Sequence, residues 1–441
     1  HRHNSIFLGK YEDIEIVGFK SQFTMAYGDN ENNYNDNAKI GSHEDEDMSG
    51  KIHITGSATV TTEDDGEDDF YGDGAGIGSG YNGNMSGSIT IDENAKVNAF
   101  SQEDGAGIGS GYNGNMSGSI TISGNAQVTA GSGWDGAGIG TGKSDDDPPK
   151  SEMSGTITIG GNAKVTAWSG IDGAGIGSGE DGDVSGTITI GGSAQVTSGS
   201  DDDGAGIGAG TYGSITSTGR IILRDSAKVT AIGEDEGTGI GAGDDGHMAG
   251  LIIIQDNAQV TAIAGDRSAA IGSEDEDDMR GTILILGYAR ITTGMLLDDD
   301  IHFDYKTKKI EYTLDEDAIG RIGYGHSREH GALPAVGRKQ VAAPQQLVGD
   351  RRRRGGIEDH PHAVPLGHLG RTHHRRQRNF ELQHDEIRRR DLGLRPVDVL
   401  RRQTLVGARG HDDRILGRPI DADQRHARRH GCVARHMAHV Q

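Results

Sequence analysis

A Gly-Ala-Gly-Ile-Gly-like pentapeptide recurs seven times in this chain, and its isoleucines (Ile77, Ile108, Ile139, Ile176, Ile207, Ile240 and Ile271) follow at intervals of 31, 31, 37, 31, 33 and 31 residues. An Ile-Thr-Ile-like triplet starts at Ile52, Ile89, Ile120, Ile157, Ile188, Ile221, Ile252 and Ile283. Eight residues after each start stands Val60, Val97, Val128, Val165, Val196, Val229, Val260 or Ile291. Ile40 adds a degenerate pentapeptide at the front. A repeat of about 31 residues is too short to bury a core of its own, so successive units must stack. That requirement outweighs the two or three domains that 441 residues would otherwise suggest.

Within a unit the apolar residues alternate with a period of two. Ile120, Ile122, Ala126, Val128 and Ala130 should point inward, and Thr121, Gln127 and Thr129 outward. Recurrent glycine and β-branched residues oppose helix. No segment is flanked by a tight two-residue hairpin turn, so parallel pairing between equivalent segments fits better than a meander. The expected fold is all-β: a three-faced parallel β-solenoid of about eight 31-residue coils.

The constant eight-residue step passes a small polar column, Ser57, Asn94, Asn125, Asn162, Ser193, Ser226 and Asn257, whose amides can bond from coil to coil. Asn at this column would also accommodate left-handed backbone. Length variation is confined to two other corners, Asp64–Asp73 and Lys143–Glu152.

The expected organisation is an N-terminal cap or partial coil over 1–35, repeats over 36–295, a C-terminal cap over 296–337 with a hairpin at Ile301–Leu314, and a tail over 338–441. Net charge divides at the same place. Residues 1–337 carry 20 Lys and Arg against 55 Asp and Glu, whereas 338–441 carry 23 against 12. Nucleic acid is therefore excluded as a partner of the repeats. The Arg/His-rich tail reads as a misread or fused frame, a disordered basic segment, or a small helical domain. A single cysteine, Cys432, rules out an intrachain disulfide framework, and no apolar run approaches the length of a membrane span.

Blocks such as Asp135-Gly136-Ala137-Gly138-Ile139-Gly140, Gly155-Thr156-Ile157-Thr158-Ile159 and Ala163-Lys164-Val165-Thr166-Ala167 resemble the glycine-rich repeats of large bacterial cell-surface proteins. The resemblance spans roughly 36–295. It implies an extracellular right-handed parallel β-helix with an adhesive or scaffolding role.

Three sets of residues are candidates for ligand contact. Acidic clusters, notably Asp145, Asp146 and Asp147 and Asp201, Asp202 and Asp203, could pool oxygens from adjacent coils around calcium, the one cofactor expected. Phe100 and Trp168 occupy equivalent positions two coils apart, with Trp134 near the intervening one, and Tyr81 and Tyr112 stack at a separate corner. Such rings suit a platform for glycan sugars, and equally ordinary packing at a corner. Lastly, Gly76, Gly107, Gly138, Gly175, Gly206 and Gly239 should pave a flat outer face. The outward Ile-Thr-Ile column turns apolar at Ile222, Ile253 and Leu284, which should be covered by the cap, the tail or a partner.

Regular repeats carry no catalytic constellation of their own. The expected function is a non-enzymatic extracellular scaffold or adhesin module, with glycans or host and cell-surface proteins as partners. Carbohydrate binding, assisted by calcium, is the first alternative. A polysaccharide lyase using Arg220, Arg224 and Lys228, or ice binding through paired columns such as Ser88 and Thr90, comes after it.

Overall fold

The computed structural model describes residues 6–7, 13–18, 22–24, 36–62, 72–145, 151–265, 267–274, 278–304, 307–314 and 320–325. Asp146, Asp147 and the whole tail lie outside them. Among the described residues there is no helix, and hence none long and apolar enough to cross a membrane. Three long sheets form instead, and each coil contributes one strand to each. The chain is thus the expected parallel β-solenoid.

The first sheet is built from the two-residue Ile-Gly strands. Ile108 pairs with Ile77 and Ile139, and the stack runs over ten strands from Ile6–Phe7 to Ile322–Tyr324. The Ile-Thr-Ile sheet has nine strands, from Ile14–Gly18 to Thr282–Ile285. The Val-Thr-Ala sheet runs from Gln22–Thr24 to Arg290–Asp304. Register survives the longer coils: Ile40 pairs with Ile77, and Ile139 with Ile176, although 37 residues separate each pair. Within the expected N-terminal cap or partial coil over 1–35, the strands Ile6–Phe7, Ile14–Gly18 and Gln22–Thr24 each join one of the three sheets.

Inside, each column repeats one side-chain type. Ile77, Ile108 and Ile139 are fully buried, as are Ile89, Ile120 and Ile157. A further column, unforeseen from the alternation, lies between the first two sheets: Met48, Met85, Met116, Met153, Val184, Ile215, Met248 and Met279 bridge in parallel from coil to coil. Unbranched Met fills this irregular corner without a fixed rotamer demand. Asn162 donates to Asn125, and Asn125 to Asn94, each at 3.2 Å, completing the expected amide ladder. The left-handed backbone, however, belongs one position earlier, at Gly56, Glu93, Gly124, Gly161, Gly192, Asp225, Asp256 and Gly287.

The pentapeptide glycines do not face solvent. Gly76, Gly107, Gly138, Gly175, Gly206 and Gly239 are buried against the ends of the Val-Thr-Ala strands. A Cβ on Gly107 would lie 2.5 Å from the Gly131 nitrogen and 2.8 Å from the Ala99 oxygen. The last glycine has a different cause: Gly109 has φ +146°, and a Cβ there would stand 1.8 Å from the Gly140 oxygen. The expected flat glycine face therefore does not exist. Its positions are glycine because two backbones meet there.

The C-terminal hairpin also differs from expectation. Strand Arg290–Asp304 leaves the last coil and returns antiparallel as Lys309–Leu314, with Phe303 opposite Ile310. Rather than closing the end of the stack, it lies along the outer face of the Val-Thr-Ala sheet. There the in-register column Phe100, Gly131, Trp168, Gly199, Ile232, Ile263 and Gly294 forms an apolar stripe. Phe100, Trp168, Ile232 and Ile263 join Leu296, Ile301, Phe303 and Ile310 in a second core outside the coil. The hairpin leaves Ile222, Ile253 and Leu284 half-exposed on the neighbouring sheet.

Candidate ligand-binding surfaces

The outer core settles where the aromatic candidates stand. Trp168 is 1% and Phe100 6% exposed, so neither ring is available to a sugar. Phe303 lies 5.8 Å from Phe100, and the Lys308 ammonium sits 4.9 Å above the Phe100 ring. Glycine on the intervening coils makes room for this. Phe100 overlies Gly131 and Trp168 overlies Gly199, positions where a Cβ would come within 2.6 and 2.9 Å of the rings. Trp134 is 45% exposed but stands outside this column, whose middle position is Gly131. Tyr81 and Tyr112 stack as expected, with centroids 5.2 Å apart and planes 8° from parallel. Tyr112 is itself nearly buried, and burial together with a hydrogen bond to Asp145 raises its phenol pKa. That corner therefore offers a half-buried Tyr81 rather than an open pair of rings.

The acidic residues form an ordered ladder, which their scatter in sequence conceals. The residue just before the pentapeptide is acidic on seven coils, as Asp36, Asp73, Asp104, Asp135, Asp172, Asp203 and Glu236, and is Arg267 on the last. The amides of Asp73, Asp104, Asp135, Asp172 and Glu236 each donate to the preceding carboxylate at 3.1–3.5 Å. The ladder carbonyls accept the amides of an adjacent column, among them Tyr112, Lys143, Glu180 and Thr211, each at 2.9 Å. Burial, then repulsion from Asp135 and Asp73, pushes Asp104 up to about 7. Asp203 reaches about 7 through burial and the charges of Asp202, Asp244 and Asp235. Glu103, buried beside Asp73 and Asp104, also rises to about 7.

Lys143, in the adjacent column, reaches into this negative ladder, with its ammonium 2.7 Å from Asp135 and 2.6 Å from Glu180. Burial disfavours its charge, yet these two bonds hold its pKa above the ordinary lysine value. Three groups bring carboxylate oxygens close enough to share a cation: Asp135, Asp172 and Glu180; Asp172, Asp202 and Asp203; and Glu236, Asp244 and Glu274. Lys143 already occupies the first, and Arg267 pairs with Glu236 in the third. Of the residues expected to bind calcium, Asp202 and Asp203 join such a group with Asp172. Asp201 lies apart, bonded to Glu234, and burial raises it to about 6. Asp145 is exposed, and its amide donates to the Asn113 side-chain oxygen at 3.1 Å rather than to a ladder carboxylate.

A third surface was not singled out from sequence. The Val-Thr-Ala sheet carries two further outward columns beside the covered stripe. One reads Thr59, Lys96, Gln127, Lys164, Gln195, Lys228, Gln259 and Arg290; the next reads Thr61, Asn98, Thr129, Thr166, Thr197, Thr230, Thr261 and Thr292. With Thr307, Lys308 and Lys309 of the hairpin as the opposite wall, they bound a groove of about 800 Å³. The readable signal was a column without a single acidic residue in a strongly acidic repeat.

Comparison with known proteins supports the architecture alone. A family model described as a beta helix repeat matches residues 52–81, 89–112 and 120–143, which are three consecutive coils of the stack. No curated protein and no solved structure matches the chain.

Proposed function

We propose that this solenoid is a non-enzymatic extracellular surface module, a scaffold or adhesin, that presents its long faces to other molecules. The supporting observation is the continuity of the columns. Ile, Met, Asn and Asp each recur in register from coil to coil, so residue identity serves stacking and leaves continuous faces about 40 Å long for nine strands at sheet spacing. Of Arg220, Arg224 and Lys228, the residues a lyase would use, two are engaged elsewhere. Arg224 pairs with Asp225 at 3.8 Å, and Lys228 lies in the groove column. Screening the full chain against immobilised glycans and cell-surface proteins tests the reading. Retention without chemical change is expected; release of unsaturated sugar products would replace it with a lyase.

Carbohydrate binding is the second reading, and the polar groove on the Val-Thr-Ala sheet favours it. Hydroxyl and amide side chains line one continuous trough there, as sugar recognition requires.

A further inference from the structure

The groove holds a cationic row in a strongly acidic repeat body. Lys96, Lys164 and Lys228 stand on alternate coils of one column, with Gln127 and Gln195 between them and Gln259 following. Lys308 and Lys309 face them from the hairpin, and no Asp or Glu lines the groove. Among the described residues none of Lys96, Lys164 or Lys228 forms an ion pair. Three lysines held in single file apart from carboxylates leave a positive potential along this column, unlike Lys143, whose charge is paired with Asp135 and Glu180.

We propose that this groove binds a linear anionic polysaccharide, a chain of uronic acid residues lying parallel to the solenoid axis. The proposal rests on the carbohydrate-binding reading above and assigns it a place and a charge. Two coils advance about 10 Å at parallel-sheet spacing, which is also the advance of two sugars in an extended chain. Carboxylates on every second sugar therefore meet successive lysines, while the intervening sugars meet Gln127, Gln195 and Gln259. The floor of Asn98, Thr129, Thr166, Thr197, Thr230 and Thr261 offers donors and acceptors to ring hydroxyls. A polynucleotide would want aromatic faces for its bases, and the groove lining contains none.

The test is calorimetric titration of the full chain at low salt with a decamer of (1→4)-linked uronic acid, a neutral (1→4)-linked glucose oligomer of similar length, and poly-glutamate. The variant is K96Q/K164Q/K228Q, which repeats the residue already present on the alternate coils and so preserves the column. The proposal expects saturable binding of the uronate that weakens as sodium chloride screens it, at least tenfold weaker binding by the variant, and an unchanged melting temperature. Absence of uronate binding, or equal binding by the variant, overturns it. Equal binding of poly-glutamate overturns the glycan assignment in favour of an acidic peptide. Binding of the neutral oligomer alone overturns the proposal yet leaves the carbohydrate-binding reading standing.

Discussion

The ring of Phe303 stacks on Trp168 with centroids 6.1 Å apart and planes inclined by 24°, although the two residues belong to the hairpin and to a coil in the middle of the repeat. Trp168 is almost wholly buried by this contact and its neighbours. Trp168→Ala or Phe303→Ala should therefore cost about 3–5 kcal/mol of stability. Trp134→Ala, at an exposed site, should cost no more than about 0.5 kcal/mol. Denaturant titration of the three variants checks both values. Tryptophan emission gives a second readout, because Phe303→Ala should shift only the Trp168 component to the red.

The acidic ladder makes stability depend on pH in an unusual direction. Asp104, Asp203 and Glu103 have folded-state pKa values pushed up to about 7 by burial and neighbouring charge, well above the ordinary carboxylate range. The folded protein thus binds protons more tightly than the unfolded chain. Their contribution is fullest below the unfolded pKa, near pH 4, and is lost as pH rises through about 7. The melting temperature should be higher at pH 5 than at pH 8. A flat or opposite profile between those values would mean that the ladder does not carry the effect.

Lys143 is the counterweight in that ladder. Lys143→Met removes the partner of Asp135 and Glu180, and should cost about 1–3 kcal/mol at pH 8, less than a fully buried pair because the site keeps some exposure. Burial pushes Glu180 up to about 7, so the penalty should shrink at pH 5, where that carboxyl takes up a proton. Thermal melts of the variant at the two pH values measure the difference.

Calcium should act through Asp172, Asp202 and Asp203. At pH 8 millimolar calcium is expected to raise the melting temperature beyond matched ionic strength of sodium chloride, and Asp203→Asn to remove the surplus. Because protons compete for Asp203, the surplus should fall towards pH 6. Identical effects of the two salts would reduce these residues to an acidic edge.

Two glycines separate crowding from mere occurrence. Gly107→Ala drives a methyl into the Gly131 backbone and should cost about 2 kcal/mol or more, whereas Gly160 has open space beyond its Cα. Gly160→Ala should be neutral or stabilising by up to about 1 kcal/mol. Equal losses in both would show that glycine here serves flexibility instead of close approach.

The interior of the solenoid was legible because each coil obeys a period of two and copies its predecessor. Ile77, Ile108 and Ile139 could be stacked from spacing alone. The Asn94, Asn125 and Asn162 ladder followed in the same way. What lies over the outer face could not be read so, because alternation assigns Phe100 and Trp168 to the outside and is silent about a hairpin two hundred residues away. The glycine spacers at Gly131 and Gly199, which let those rings lie flat, were the available clue. The Met48 to Met279 column escaped because one residue per coil has no alternation to show, though it stands four residues ahead of nearly every Ile-Thr-Ile triplet. The acidic ladder was hidden in clusters, where one carboxylate in each group is held in register while others, such as Glu103 and Glu234, are buried off it.

A stack of coils ordinarily unravels like a spring, since each turn touches only the turns beside it. Here the hairpin ties coils from Phe100 to Ile263 to the end of the stack through one shared apolar seam. Fraying that starts at the last coil must peel the whole seam, and fraying that starts midway must break it. The side-lying hairpin therefore turns a chain of nearest-neighbour events into one concerted transition, in which local opening in the middle coils is felt at the far end.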